Sequence, residues 1–147
     1  MIDRDDVDSE RIFVFGRSLG GAVATQLAVN KPNYVKAIIL ENTFTSLSDM
    51  VDAILPFLSP FKFLIQRIFY PTKDRIGKVK CPILFIRGLR DEIVPCQQSL
   101  VLYSKAKKAR FKDILEVKDG DHNNTWRIGG KEYIRSLKSF LHRCEHD

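Results

Sequence analysis

Cysteine is scarce in this chain, and the three present, Cys81, Cys96 and Cys144, stand far apart with no C-x-x-C spacing. That excludes a disulfide framework and a cysteine zinc site, and fits free thiols in a reducing compartment. Long apolar runs are also missing. The most apolar stretch, Ala53 to Thr72, is interrupted by Pro56, Pro60, Lys62 and Arg67, whereas a membrane span needs about 20 mostly apolar residues with few charges. Met1 to Glu10 are acidic and polar and lack the apolar core of a signal peptide. Internal repeats, low-complexity tracts and the usual nucleic-acid-binding motifs do not occur, so no nucleic-acid partner is expected.

What remains is ordinary globular material: 147 residues, 44% hydrophobic and 29% charged, enough for one domain with a real core. The net charge of +6 is spread along the chain except for Lys105, Lys107, Lys108, Arg110 and Lys112. That run falls where a helix should end, so it reads as a solvated face whose cations complement the helix dipole.

The informative stretch is Phe13-Val14-Phe15-Gly16-Arg17-Ser18-Leu19-Gly20-Gly21. It carries G-x-S-x-G between an apolar strand, Arg11 to Phe15, and a small-residue helix containing Ala22, Val23, Ala24, Leu27 and Ala28. The motif alone also suits a glycine-rich turn with a helix-capping serine. In this setting it reads as a nucleophile elbow, with Gly16 and Gly20 relieving the clash of a sharp turn. Ser18 Oγ is then exposed at the sheet edge, and the backbone N–H of Leu19 points toward a developing oxyanion, helped by the helix dipole.

After a proline-marked break at Asn30 to Asn33, Val35 to Leu40 is a second buried strand, completing a parallel strand-helix-strand unit. Glu41 to Thr45 follow at its C-terminal end, where open parallel sheets place ligands. Ser46 or Ser48 is expected to cap a short helix through Val51 and Leu55. Ala53 to Thr72 then reads as a helical insertion, about 53–76, over that edge. Its apolar face could line an acyl-sized pocket or touch a bilayer, and core packing is an equal reading. Cys81 to Gly88 is a third strand with Leu89 to Pro95 as its exit loop, followed by a helix over Gln97 to Lys108. Asp113 to Val117 is a fourth strand, and Lys118 to Trp126 its exit loop. A last helix runs from about Lys131 to His142.

Ser18, Asp91 and His122 each follow a predicted parallel strand, in the chain order of α/β-hydrolase triads. A serine hydroxyl is a weak nucleophile, so His122 would take its proton while Asp91 fixes the imidazole tautomer. His142 and His146 have no strand before them. Glu41 is the rival acid because it also ends a strand, and Asp119 and Asp121 lie too close to His122 in sequence to reach its far nitrogen easily. No cofactor or metal is called for.

Gly16 to Ala24, Leu40-Glu41-Asn42-Thr43-Phe44, Asp91 to Pro95 and Gly120 to Trp126 together resemble the bud-emergence (Bem-type) branch of the α/β-hydrolases. The resemblance implies Ser18 as nucleophile, Asp91 as acid and His122 as base. It further implies the C-terminal half of an α/β-hydrolase fold: four parallel strands, flanking helices and a short cap insertion. Members of the branch carry a membrane-anchoring helix, four more strands and a His-Gly oxyanion loop ahead of the matching region, so the family implies membrane association and a missing N-terminal half as partner.

The expected function is a serine hydrolase cleaving an ester or thioester, with a small-molecule or lipid-like acyl substrate, through an acyl-enzyme. Two rivals stand beside it. One is a catalytically inactive fragment or truncated isoform serving as an interaction module, favoured by a Met1 just ahead of the elbow strand. The other is a basic protein that binds anionic membrane surfaces.

Overall fold

The computed structural model describes Asp8, residues 11–46 and residues 72–146. The four apolar runs form β1 (Ile12–Arg17), β2 (Val35–Glu41), β3 (Ile83–Gly88) and β4 (Lys112–Val117), all parallel and in that spatial order. Between them lie α1 (Leu19–Asn30), a short α2 (Thr72–Arg75) with a 3-10 turn (Ile76–Lys78), and α3 (Gln97–Lys105). The helical stretch α4 (Thr125–His146) closes the chain.

Side chains alternate across a strand, so each strand feeds two cores. Ile38, Leu40, Ile83 and Phe85 pack with Ala24 and Ala28 of α1, Leu102 of α3 and Ile76. Ala37, Ile39, Leu84 and Ile86 pack on the other face with Tyr133, Phe140 and Cys144 of α4. Both faces of β2 and β3 are therefore covered, which is why those strands are apolar almost throughout rather than alternating. β1 and β4 form the two edges of this sheet, and Phe15 on β1 is 49% exposed. The cysteines carry free thiols, and burial pushes those of Cys81 and Cys144 up to about 11.

Element boundaries differ from the sequence reading in ways the contacts explain. β1 continues to Arg17 because Gly16 and Arg17 stay in register with Leu40 and Glu41. α3 stops at Lys105, where the N–H of Ala106 turns back to the carbonyls of Leu102 and Tyr103. The Lys112 ammonium then donates to the Tyr103 carbonyl at 2.7 Å, placing a cation at the negative end of the helix. α4 starts at Thr125, earlier than expected, and is broken at Gly130, whose φ of 46° lies in the left-handed region.

The helix expected after Ser46 or Ser48 and most of the 53–76 insertion lie outside the described residues. The described end of that insertion is α2 and Ile76. The Lys73 N–H donates to the Thr45 carbonyl at 2.8 Å, so the chain on either side of residues 46–72 is joined by a hydrogen bond.

At the β1–α1 bend the glycines divide differently from the expectation. A Cβ on Gly16 would stand 2.3 Å from the Gly20 carbonyl oxygen, and one on Gly21 would stand 2.3 Å from Thr43 Oγ1. A Cβ on Gly20 would meet nothing within 4 Å among the described residues. The close approaches thus belong to Gly16 and Gly21, and Gly20 relieves no clash. Gly16→Ala, pressed against backbone that cannot yield, should lower stability by roughly 1–3 kcal/mol. Gly20→Ala should leave it unchanged or raise it by up to about 1 kcal/mol through helix propensity. Urea midpoints of the two variants check the ordering, and equal losses would contradict it.

Candidate active site

Parallel strands deliver their exit loops to one edge, and Ser18, Asp91 and His122 each follow one of those strands. Ser18 sits between β1 and α1 with φ 52° and ψ −120°. Ser18 and Asn42 are the non-glycine residues of positive φ among those described, a conformation that costs on the order of 1–3 kcal/mol unless the surroundings hold it. They do so at Ser18. Its N–H donates to the Glu41 carbonyl at 2.9 Å, and its carbonyl accepts from Thr43 Oγ1 at 2.7 Å and from the Gly21 N–H at 3.0 Å. The hydroxyl makes no capping bond to α1, so the capping-serine alternative does not describe this residue. Leu19 opens α1, where backbone N–H groups lack intrahelical partners.

Asp91 lies in the loop after β3, its side chain 1% exposed. One carboxylate oxygen accepts from the N–H groups of Ile93 and Val94, at 2.9 and 2.7 Å. The other faces His122 Nδ1 at 2.8 Å. With Nδ1–H donating to Asp91, Nε2 is left as the proton acceptor. The two residues lie 31 positions apart yet meet, because the loops carrying them touch. A Cβ on Gly88 would fall 2.4 Å from the Gly120 carbonyl oxygen, and the Arg90 N–H donates to that same carbonyl at 2.9 Å.

The other candidates are committed elsewhere. Glu41, 1% exposed, accepts a hydrogen bond from the Tyr133 hydroxyl. Its second oxygen has no partner among the described residues. Asp121 accepts from the N–H groups of Asn123 and Asn124 at 2.7 and 2.9 Å, bonds that hold its carboxyl below the usual range. Asp119 pairs with Arg90 at 3.0 Å on the surface. His142 and His146 stack on each other at the end of α4. Asp91 is the carboxylate brought to His122.

The prolyl oligopeptidase family matches residues 1–144. The chain belongs to that family. The protein WAV2 of Arabidopsis thaliana, an alpha/beta hydrolase domain-containing protein, is 43% identical over 95% of this chain and 49% of its own length. Protein bem46 of Schizosaccharomyces pombe is 35% identical over 89% of the chain and 43% of its own length. The chain thus spans about half the length of these curated relatives. Among solved structures, an acylaminoacyl peptidase of Pyrococcus horikoshii matches with TM-score 0.70 and 27% identity, over 95% of this chain and 24% of that one. An esterase of Pyrococcus furiosus matches in fold with TM-score 0.77 and 18% identity, over 98% and 57%. The Bem-type α/β-hydrolase resemblance and the partial α/β-hydrolase fold are thereby established.

Beside His122 a cleft of about 450 Å³ is lined by Arg90, Glu92, Ile93, Asp119, Asp121 and Asn123, among others. Its walls are mostly polar; the apolar segment expected to line an acyl pocket lies mainly at residues outside the description. No helix among the described residues is long and apolar enough to cross a membrane. The sequence reading missed one residue here. Asn42, placed only at a strand end, has a buried amide that reaches both the β3 exit and the His122 loop; its available signal was an asparagine, tolerant of positive φ, directly after a strand.

Burial is the largest influence on Glu41 and raises its carboxyl above the ordinary value, outweighing the Tyr133 bond and the nearby Arg17 and His122. The folded state therefore holds this proton more tightly than the unfolded chain, and stability falls as pH rises from the unfolded value through the raised one. Glu41→Gln removes that slope. Urea midpoints taken from about pH 4 to about pH 8 should show the variant gaining on the parent as pH increases; parallel profiles would show that Glu41 is not protonated by burial.

Proposed function

We propose that the chain carries the triad of a serine hydrolase that cleaves an ester or thioester, Ser18 being the nucleophile, His122 the base and Asp91 the acid. The observation supporting this reading most is the buried contact of Asp91 with His122 Nδ1, on the sheet edge where the strained Ser18 stands. In the reaction, His122 Nε2 takes the Ser18 proton as Oγ attacks the acyl carbon. The Leu19 N–H stabilises the tetrahedral oxyanion, and the imidazolium returns the proton to the departing alcohol or thiol. Water, deprotonated by the same nitrogen, then attacks the acyl-enzyme and releases the acid and free Ser18.

An acyl or lipid-like substrate is supported by the apolar stretch Ala53 to Thr72 and by the esterase fold likeness. The acylaminoacyl peptidase likeness supports a second reading, amide cleavage by the same residues. Membrane association of the whole protein rests on the Bem-type resemblance. In α/β-hydrolases a second oxyanion donor comes from the loop after the third strand. A chain supplying the elbow donor alone should turn over about 10²- to 10³-fold more slowly than one with both.

The test is covalent labelling by a fluorophosphonate probe. Ser18→Ala should abolish labelling and His122→Ala should nearly do so, while Asp91→Asn should slow turnover by roughly 10⁴-fold with the fold intact. Labelling that survives Ser18→Ala would overturn the reading. Better turnover of acylated peptides than of matched esters, or of acetyl esters than of long-chain ones, would redirect the substrate class.

A further inference from the structure

Asn42 stands one residue beyond β2, 2% exposed, with φ 46°. Its backbone N–H still donates to the Ile86 carbonyl of β3, at 2.9 Å. Its side-chain oxygen accepts from the Gly88 N–H at 2.8 Å, where β3 gives way to the Asp91 loop. Its side-chain nitrogen faces three oxygens of the His122 loop: the carbonyls of Asp121 and His122 at 3.2 and 3.3 Å, and Thr125 Oγ1 at 3.0 Å. An amide presents an acceptor and a two-proton donor in one planar group, and this site uses both ends.

The geometry points to Asn42 as the positioning residue that holds His122 against Asp91. It touches no reacting group in this scheme. It ties the two loops together through the carbonyl of His122 itself and through an N–H three residues before Asp91. The left-handed backbone turns the amide into the gap between the loops; asparagine tolerates it far better than a branched residue. This inference rests on the hydrolase reading above.

Two variants separate the clamp from the backbone it sits on. Asn42→Gly keeps the positive φ without strain and removes the amide. Asn42→Asp keeps the shape and the acceptor for Gly88 but sets a carboxylate against three oxygens. The readout is the tautomer of His122, given by the nitrogen shifts of its imidazole in the full 147-residue chain. The parent should hold the proton on Nδ1, bonded to Asp91. Both variants should populate the Nε2–H form and slow fluorophosphonate labelling roughly 10- to 100-fold, the loss expected when a buried hydrogen-bond set is broken. Ile76→Val, which thins the core away from the loops, should lower the melting temperature without moving the tautomer. If the variants fold and keep the parent tautomer and labelling rate, Asn42 is merely structural and the inference is overturned. Should Asn42→Asp fail to fold, Thr125→Val, which removes one clamp oxygen, takes its place with the same expectation. Loss of the inference leaves Ser18→Ala and His122→Ala dead, whereas failure of the hydrolase reading leaves those two labelled.

Discussion

Parallel pairing is the constraint from which the rest of this structure follows. Because β1 to β4 run in one direction, the segments after each of them emerge at a single edge, and there Asp91 and His122, from two different loops, come into contact. The pairing in turn depends on covering both faces of the central strands. The middles of β2 and β3 offer Ile, Leu, Ala and Phe, and they stay in place because α1 and α3 seal one face and α4 the other. The chemistry at the edge is held by a scaffold whose stability lies almost wholly elsewhere.

At the edge itself, polar groups are arranged so that few are left unsatisfied. Asp91 divides its two oxygens between loop N–H groups and His122. Glu41 is the exception, with one oxygen buried and unpartnered among the described residues. Burial there disfavours the charged form and raises the carboxyl above its ordinary value despite a cation nearby.

Much of this was legible in the sequence, for identifiable reasons. Apolar runs of strand length gave β2 and β3 directly, since a fully covered strand needs no alternation to be recognised. Ser18, Asp91 and His122 stood out as candidates because each follows such a run, whereas the Tyr133 contact that engages the rival Glu41 comes from 92 residues away and leaves no local trace. The role of Gly21 was hidden for the same reason, its neighbour Thr43 being supplied by the segment after β2. The early start of α4 escaped because Gly129 and Gly130 look like a break, whereas the chain is helical on both sides of a single left-handed residue. Asn42 was visible as a residue but its contacts were not, because all its side-chain partners lie far away in the sequence.

The hydrogen bond from the Lys73 N–H to the Thr45 carbonyl brings the segment after β2 and the start of α2 together at one spot. A loop whose ends are held together changes its closure entropy by only about 0.6 kcal/mol for each doubling of length. Changes of length between Thr45 and Lys73 therefore cost little in closure entropy, while the contact of Asp91 with His122 is made by two other loops.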